Sequence, residues 1–218
     1  MEKNNKSYIG FITRILLTLA MAGGVLYFYD SLPDPFPTHF GVTGQPDSWG
    51  EKYWAAWLIP GMSLLLTLLF PVLAKIDPRY KNYEKFQGPW EVIQTAIIGF
   101  FAYLQAVIIY VTLNPEMQPM MGRFMFVGLG LMFIVLGNVM GKVRWNYFVG
   151  LKTPWALNDK EVWQKSQRFG GWAFVIAGLA FLFEAWWYRY LGWFFGLTIG
   201  GVVIIPIIYS YLVSRNRQ

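Results

Sequence analysis

The chain contains no cysteine and only one histidine, His39. The first absence removes disulfides, thiolate catalysis and zinc-thiolate sites together, and the second leaves little for a transition metal. Charge is sparse as well: Asp, Glu, Lys and Arg make up 14% of the 218 residues, against about 25% in an ordinary soluble domain. No nucleophile elbow, HExxH pair, Walker-type phosphate loop or histidine beside a serine occurs, so no catalytic residue, cofactor or metal is assigned and the chain is not read as an enzyme. What is abundant is apolar: 56% of the residues are hydrophobic and 19% aromatic. The bilayer is the solvent for such a composition.

A transmembrane helix needs about 20 predominantly apolar residues. Six runs qualify, near Ile9 to Tyr29, Trp54 to Leu73, Val92 to Leu113, Phe124 to Met140, Gly171 to Tyr188 and Leu191 to Val213. Ala20, Met21 and Ala22 resemble a signal-peptide cleavage site, but the apolar run continues to Tyr29, so the first run is read as a retained helix. The predicted class is an all-α integral membrane protein of six transmembrane helices. It has one structured extracellular loop and one long cytoplasmic loop, and an even number of spans puts both termini on one side. Placing the termini in the cytoplasm puts fifteen of the eighteen basic residues inside, leaving only Lys52, Arg123 and Arg189 outside, while the acidic residues divide six and six. That is the positive-inside pattern, so the net charge of +6 reports topology and anionic lipid, and direct nucleic-acid binding is set aside. Tyr27, Tyr29, Trp49, Tyr53, Trp54, Trp57, Trp186, Trp187, Tyr188, Tyr190 and Trp193 gather at the outer boundary as an interfacial aromatic belt.

Gly192, Gly196 and Gly200 recur every four residues along the last span, leaving a face where a neighbouring helix of this chain, or of a second copy in an oligomer, approaches closely. Gly137 and Gly141 repeat the spacing in the fourth span, and Pro206 is expected to bend the last. Among in-span polar residues, Arg14 is read as a snorkelling anchor at the inner boundary. Glu184 lies about one turn below the outer boundary, with Arg123 or Arg189 as ion-pair partner or with a ligand or proton role, and Gln94, Gln105 and Asn138 are read as interhelical hydrogen-bonding groups.

Two polar segments stand out. The outer one, PFPTHFGVTGQPDSWGEK from Pro35 to Lys52, is rich in proline and glycine, which disfavour helix and force its backbone out of the hydrocarbon. Within it Gly44, Pro46 and Asp47 shape a tight reversal, and His39 packs or hydrogen-bonds in a rigid turn. Lys52 stands at the lipid boundary, placed to pair with a loop acid or a phospholipid. The inner segment runs from Gly137 to Gly171. Here Gly150 and the Thr153-Pro154 pair turn the chain so that Phe148 and Trp155 pack back on the bundle. Asn158 with Glu161 reads as a capping box opening a short helix on the inner membrane surface, with Trp163 on its apolar side. The segment is either a membrane-hugging connector or a docking face for a cytosolic protein.

Together these segments resemble the SdpI family, bacterial membrane proteins that give immunity to a sporulation-delaying toxin. Leu32-Pro33, Pro37, His39-Phe40, Gly44-Gln45-Pro46-Asp47 and Lys52 look like the two-span domain of unknown function, DUF1648, found at the N-terminus of that family. Asn146, Gly150-Leu151, Thr153-Pro154-Trp155, Leu157, Trp163 and Arg168 resemble the family's defining loop, with Ala156 where the pattern has threonine. The resemblance implies a division into residues 1–75 and a four-helix domain 76–218 with cytoplasmic loop 141–170, in a bacterial cell membrane. It implies a peptide toxin met by Pro37, His39, Phe40, Gly44, Asp47 and Lys52. It also implies a soluble transcriptional repressor held at the inner face by Asn146, Gly150, Thr153, Pro154, Trp155, Trp163 and Arg168, with Glu184 and Asn138 as in-membrane polar groups. A small exporter or channel, and last a membrane enzyme, are the competing classes.

Overall fold

The computed structural model describes residues 2–41, 44–187 and 191–216. Helix α1 (Glu2–Phe28) ends in a 3₁₀ turn (Tyr29–Ser31) and is followed by strands β1 (Phe36–Phe40) and β2 (Pro46–Gly50), a short helix α2 (Lys52–Ala55) and α3 (Leu58–Ile76). A second 3₁₀ turn (Tyr80–Lys85) leads into α4 (Gln87–Leu113), and a third (Pro115–Met120) into α5 (Met121–Met140). After a long loop come α6 (Pro154–Asn158), α7 (Lys160–Trp187) and α8 (Leu191–Arg215). Six of these segments are long and apolar enough to cross a membrane, as the six runs predict. Large hydrophobic side chains on them, such as Leu16, Leu65, Ile176 and Leu197, are exposed because lipid rather than protein covers them. Tyr27, Tyr53, Trp186 and Trp193 stand exposed at the boundary as a belt requires, whereas Tyr188, Arg189 and Tyr190 lie outside the described residues.

Three expectations about elements are corrected. The molecule is mostly rather than wholly helical, because β1 and β2 pair as an antiparallel hairpin. Alternation between Pro and aromatic residues on either side of Gly44 serves an extended ladder as well as a turn, and only the turn was legible. The short surface helix does not exist separately: α7 runs unbroken from Lys160 through Gly170 and Gly171 to Trp187. Its N-cap is Asp159 rather than Asn158, with Oδ1 accepting from the amides of Glu161 (2.7 Å) and Val162 (3.0 Å). A carboxylate two and three residues from those amides satisfies both, while Asn158 belongs to the end of α6.

The helices pack mainly in chain order. α1 and α3 lie against α4, α4 against α5, α5 against α7, and α7 against α8. The α5–α7 contact is the most extensive, and glycine makes it so. A Cβ at Gly130 would stand 2.8 Å from the carbonyl oxygen of Gly178, and one at Gly137 2.6 Å from that of Gly171. Backbone therefore rests on backbone along two levels of the seam. In the last span the sites beside Gly196 and Gly200 are open, and among the described residues no other helix approaches them within 4 Å. The surroundings of Gly192 lie outside the described residues. Gly137 and Gly141, which both meet α7 backbone, have the same four-residue spacing as Gly196 and Gly200, so sequence spacing alone does not choose the partner helix. α8 continues through Pro206.

In-span polar groups also pair otherwise than predicted. Arg14 does not snorkel; it is 1% exposed and its guanidinium holds the Glu91 carboxylate of α4 at 2.7 Å. Gly10 makes room for that carboxylate, since a Cβ there would collide with it. One turn on, Thr18 Oγ1 lies 3.0 Å from Ser63 Oγ of α3. Gln94 and Asn138 donate to carbonyls four residues back in their own helices, those of Trp90 (3.2 Å) and Ile134 (2.8 Å), rather than across the bundle. Gln105 is buried, with no partner for its Nε2. Neighbouring helices are instead linked by the Arg14–Glu91 pair, by Thr18 with Ser63, and by the Tyr103 hydroxyl, which donates to the Phe124 carbonyl at 2.8 Å.

Candidate functional site

The two polar segments form two quite different structures. In the first, β1 and β2 pair Phe36 with Gly50, Pro37 with Trp49, His39 with Ser48 and Phe40 with Pro46, the ladder being irregular on both sides of His39. Phe36 and Pro37 are buried, and Phe40 packs toward Met117 and Met121. Gly44 adopts a φ of +80°, and a Cβ there would collide with the Gln118 carbonyl. The hairpin tip is thereby pressed onto the Pro115–Met120 turn, and glycine is required on both counts. At the base, Lys52 is half-buried: its ammonium donates to the carbonyls of Tyr29 (3.1 Å) and Leu32 (3.0 Å) and sits 4.7 Å from the Tyr29 ring centroid. Its amide donates to Asp34 Oδ1 at 3.2 Å. The side chain that sequence placed against a loop acid or phospholipid instead ties the hairpin to the end of the first span. Between these anchors, His39 and Asp47 project into solvent, with Nδ1 and Oδ1 2.5 Å apart and side chains 69% and 52% exposed.

In the second, the loop between α5 and α7 is folded back onto the helices. Asn146 is fully buried, and its Oδ1 accepts from the amides of Phe148 (2.9 Å) and Val149 (2.7 Å). Its Nδ2 donates to the carbonyls of Arg144 (2.7 Å) and Val149 (3.1 Å), so both ends of the carboxamide are used. Gly150 has φ +104°, and a Cβ there would strike the Gln167 carboxamide. Without one, Gln167 of α7 pairs with the Leu151 backbone on both edges, each bond 2.9 Å. Thr153 caps α6, Oγ1 accepting from Ala156 N at 3.3 Å.

Ser210 of α8 gathers the rest. It accepts from the Trp155 indole (2.7 Å) and from Ser166 Oγ (2.8 Å), which leaves its own proton for Thr153 Oγ1 at 2.8 Å. Trp163 is buried and donates to the Val143 carbonyl at 3.1 Å. The loop following α3 closes the knot: buried Asp77 accepts from Arg79 N (2.7 Å), Tyr147 N (2.8 Å) and the Tyr83 hydroxyl (3.0 Å). Burial, then the Asp77 charge and its hydrogen bond, push the Tyr83 phenol well above its ordinary range. Arg79 lies between the Trp145 and Tyr147 rings, 3.4 and 4.2 Å from their centroids, and donates to the Leu157 carbonyl at 3.0 Å.

Of the predicted inner residues, Asn146, Thr153 and Trp163 are buried, Gly150 and Trp155 are half-buried, and Pro154 and Arg168 are exposed. The Arg168 backbone packs close to Gly141, and its side chain lines a cavity between α7 and α8. Sequence reasoning did not find Ser210, Gln167, Asp77 or Tyr83. A serine isolated in the apolar run before Arg215 and a glutamine beside Arg168 were the available signals. Glu184 is 2% exposed on α7, and both it and Arg123 have interaction partners, while Arg189 lies outside the described residues. Asn138 is exposed on α5.

The inner knot coincides with a matched segment: residues 142–210 fit the SdpI/YfhL protein family, which spans the loop, α6, α7 and α8 as far as Ser210. Residues 15–64 fit a domain of unknown function, DUF1648, covering most of α1, the hairpin and the start of α3. The chain is 24% identical over 218 residues to the Immunity protein SdpI of Bacillus subtilis (strain 168), covering 98% of this chain and 93% of that one. No solved structure matches it. The chain is thus a multi-pass membrane protein whose residues 142–210 fit the SdpI/YfhL family and whose residues 15–64 fit DUF1648.

Proposed function

We propose that this protein confers immunity on a bacterial cell against a secreted membrane-active peptide, which it meets at the β1–β2 hairpin with both termini in the cytoplasm. One observation carries the reading. The hairpin is fixed at its base by Lys52 and at its tip by Gly44, yet presents His39 and Asp47 to solvent, a rigid polar surface at the lipid boundary. Such preorganisation lowers the entropy cost of capturing a flexible peptide. The full-length similarity to an immunity protein supports the same class. In this reading Pro37, Phe40, Gly44 and Lys52 hold the surface, and His39 and Asp47 touch the toxin.

For the inner face, contact with a soluble repressor falls to the exposed crown around Tyr147, Lys152 and Pro154, while Asn146, Thr153 and Trp163 support it from beneath. A transport reading needs in-span polar groups facing a path; Arg14 and Glu91 engage each other, and Gln94 and Asn138 their own helices. The test is survival of peptide-sensitive cells expressing the protein or its His39→Ala and Asp47→Ala forms, with membrane abundance checked by blotting.

A further inference from the structure

A cavity of about 450 Å³ opens between α7 and α8, beside the C-terminal turns of α8, and is walled by Gln164, Lys165, Arg168, Phe169, Trp172 and Tyr209. Lys165 and Arg168 are exposed, and among the described residues neither engages in a hydrogen bond or ion pair. No carboxylate lines the cavity. Phe169 stacks on Tyr209 across the two helices, with centroids 4.1 Å apart and planes at 10°. One turn beyond, Trp172 is 66% exposed. From Lys165 to Trp172 the helix rises roughly 10 Å. Over that distance the wall changes from two cations and a carboxamide, through a flat aromatic floor, to an indole at lipid depth.

That sequence of chemistries matches one molecule end to end. We propose that this cavity binds the headgroup of an anionic phospholipid, its phosphate held by Lys165 and Arg168, its glycerol backbone on the Phe169 and Tyr209 rings, and its first methylenes against Trp172. Basic pockets between spans are suited to such headgroups, each cation contributing through short-range attraction. A zwitterionic headgroup lacks an acidic partner here for its ammonium. The apolar half of the wall distinguishes the site from one for free phosphate. Nothing in the proposal uses the outer hairpin, so it stands or falls independently of immunity.

The test is native mass spectrometry of the full chain in detergent with added phosphatidylglycerol or phosphatidylcholine. Wild type is expected to retain phosphatidylglycerol selectively, and K165Q/R168Q to lose that retention by roughly tenfold or more. K75Q/K81Q, which removes equal charge elsewhere, is expected to behave as wild type. All four side chains are exposed, so the variants fold, and circular dichroism checks this. Unchanged retention in K165Q/R168Q, equal loss in K75Q/K81Q, equal retention of phosphatidylcholine, or displacement of the lipid by inorganic phosphate would each overturn the proposal.

Discussion

The β1–β2 hairpin and the loop between α5 and α7 look alike in the sequence, each a run of glycine, proline, tryptophan and a few polar residues between apolar spans, but they use those residues in opposite ways. In the hairpin the polar side chains point outward, and the contacting side chains of His39 and Asp47 face water. In the loop they point inward, and Asn146, Thr153, Gln167 and Ser210 spend their hydrogen-bonding capacity on one another and on backbone. A distinctive motif therefore does not by itself mark a contact surface. Residues of fixed type at fixed offset are needed as strictly by a buried polar knot, where each unmet group costs free energy, as by a ligand.

The contrast predicts a graded set of outcomes. The largest effect is expected at Asn146. Asn146→Ala leaves the amides of Phe148 and Val149 and the carbonyl of Arg144 without their partner, and at roughly 1 to 3 kcal/mol per stranded group destabilises the protein by about 4 kcal/mol. Thermal unfolding of the purified protein in detergent measures this, and a near-native midpoint would mean that the knot is not what holds the loop. Ser210→Ala comes next, at about 2 kcal/mol, because the Trp155 indole and the Ser166 and Thr153 hydroxyls lose a shared partner.

Tyr83 gives a pH-dependent component. Its phenol is held protonated in the fold above the range where the unfolded chain ionises, so the fold binds the extra proton and stability falls as pH rises beyond about 10. Tyr83→Phe is expected to flatten the unfolding midpoint against pH in that range. The smallest effect belongs to the hairpin: even a fully charged exposed pair contributes less than about 1 kcal/mol, so His39→Ala should leave the midpoint nearly unchanged. A large drop there would erase the distinction between the two regions.

The legible part of this molecule is what lipid and water impose along the chain. Six spans follow from runs of about 20 apolar residues, and α1, α4, α5 and α8 end within a turn of where those runs end, whereas α1 and α4 begin earlier, at Glu2 and Gln87. Gly44 and Gly150 announced turns because few other residues tolerate positive φ. Partner choice was not legible. Gly137 and Gly141 meet backbone of α7, while among the described residues nothing stands within 4 Å of a Cβ built at Gly196 or Gly200, and both pairs are spaced by four. Arg14 and Glu91 are 77 residues apart, and nothing local to either says they pair. Ser210 looks like an incidental hydroxyl until the loop, α7 and α8 converge on it.

The central claim is that the outer surface recognises and the inner loop supports. Survival of peptide-sensitive cells expressing a His39→Ala/Asp47→Ala variant, at membrane levels matched to wild type, tests it most directly. The account predicts that protection is lost while the protein stays folded and abundant. Full protection by that variant would contradict it and move recognition away from the hairpin.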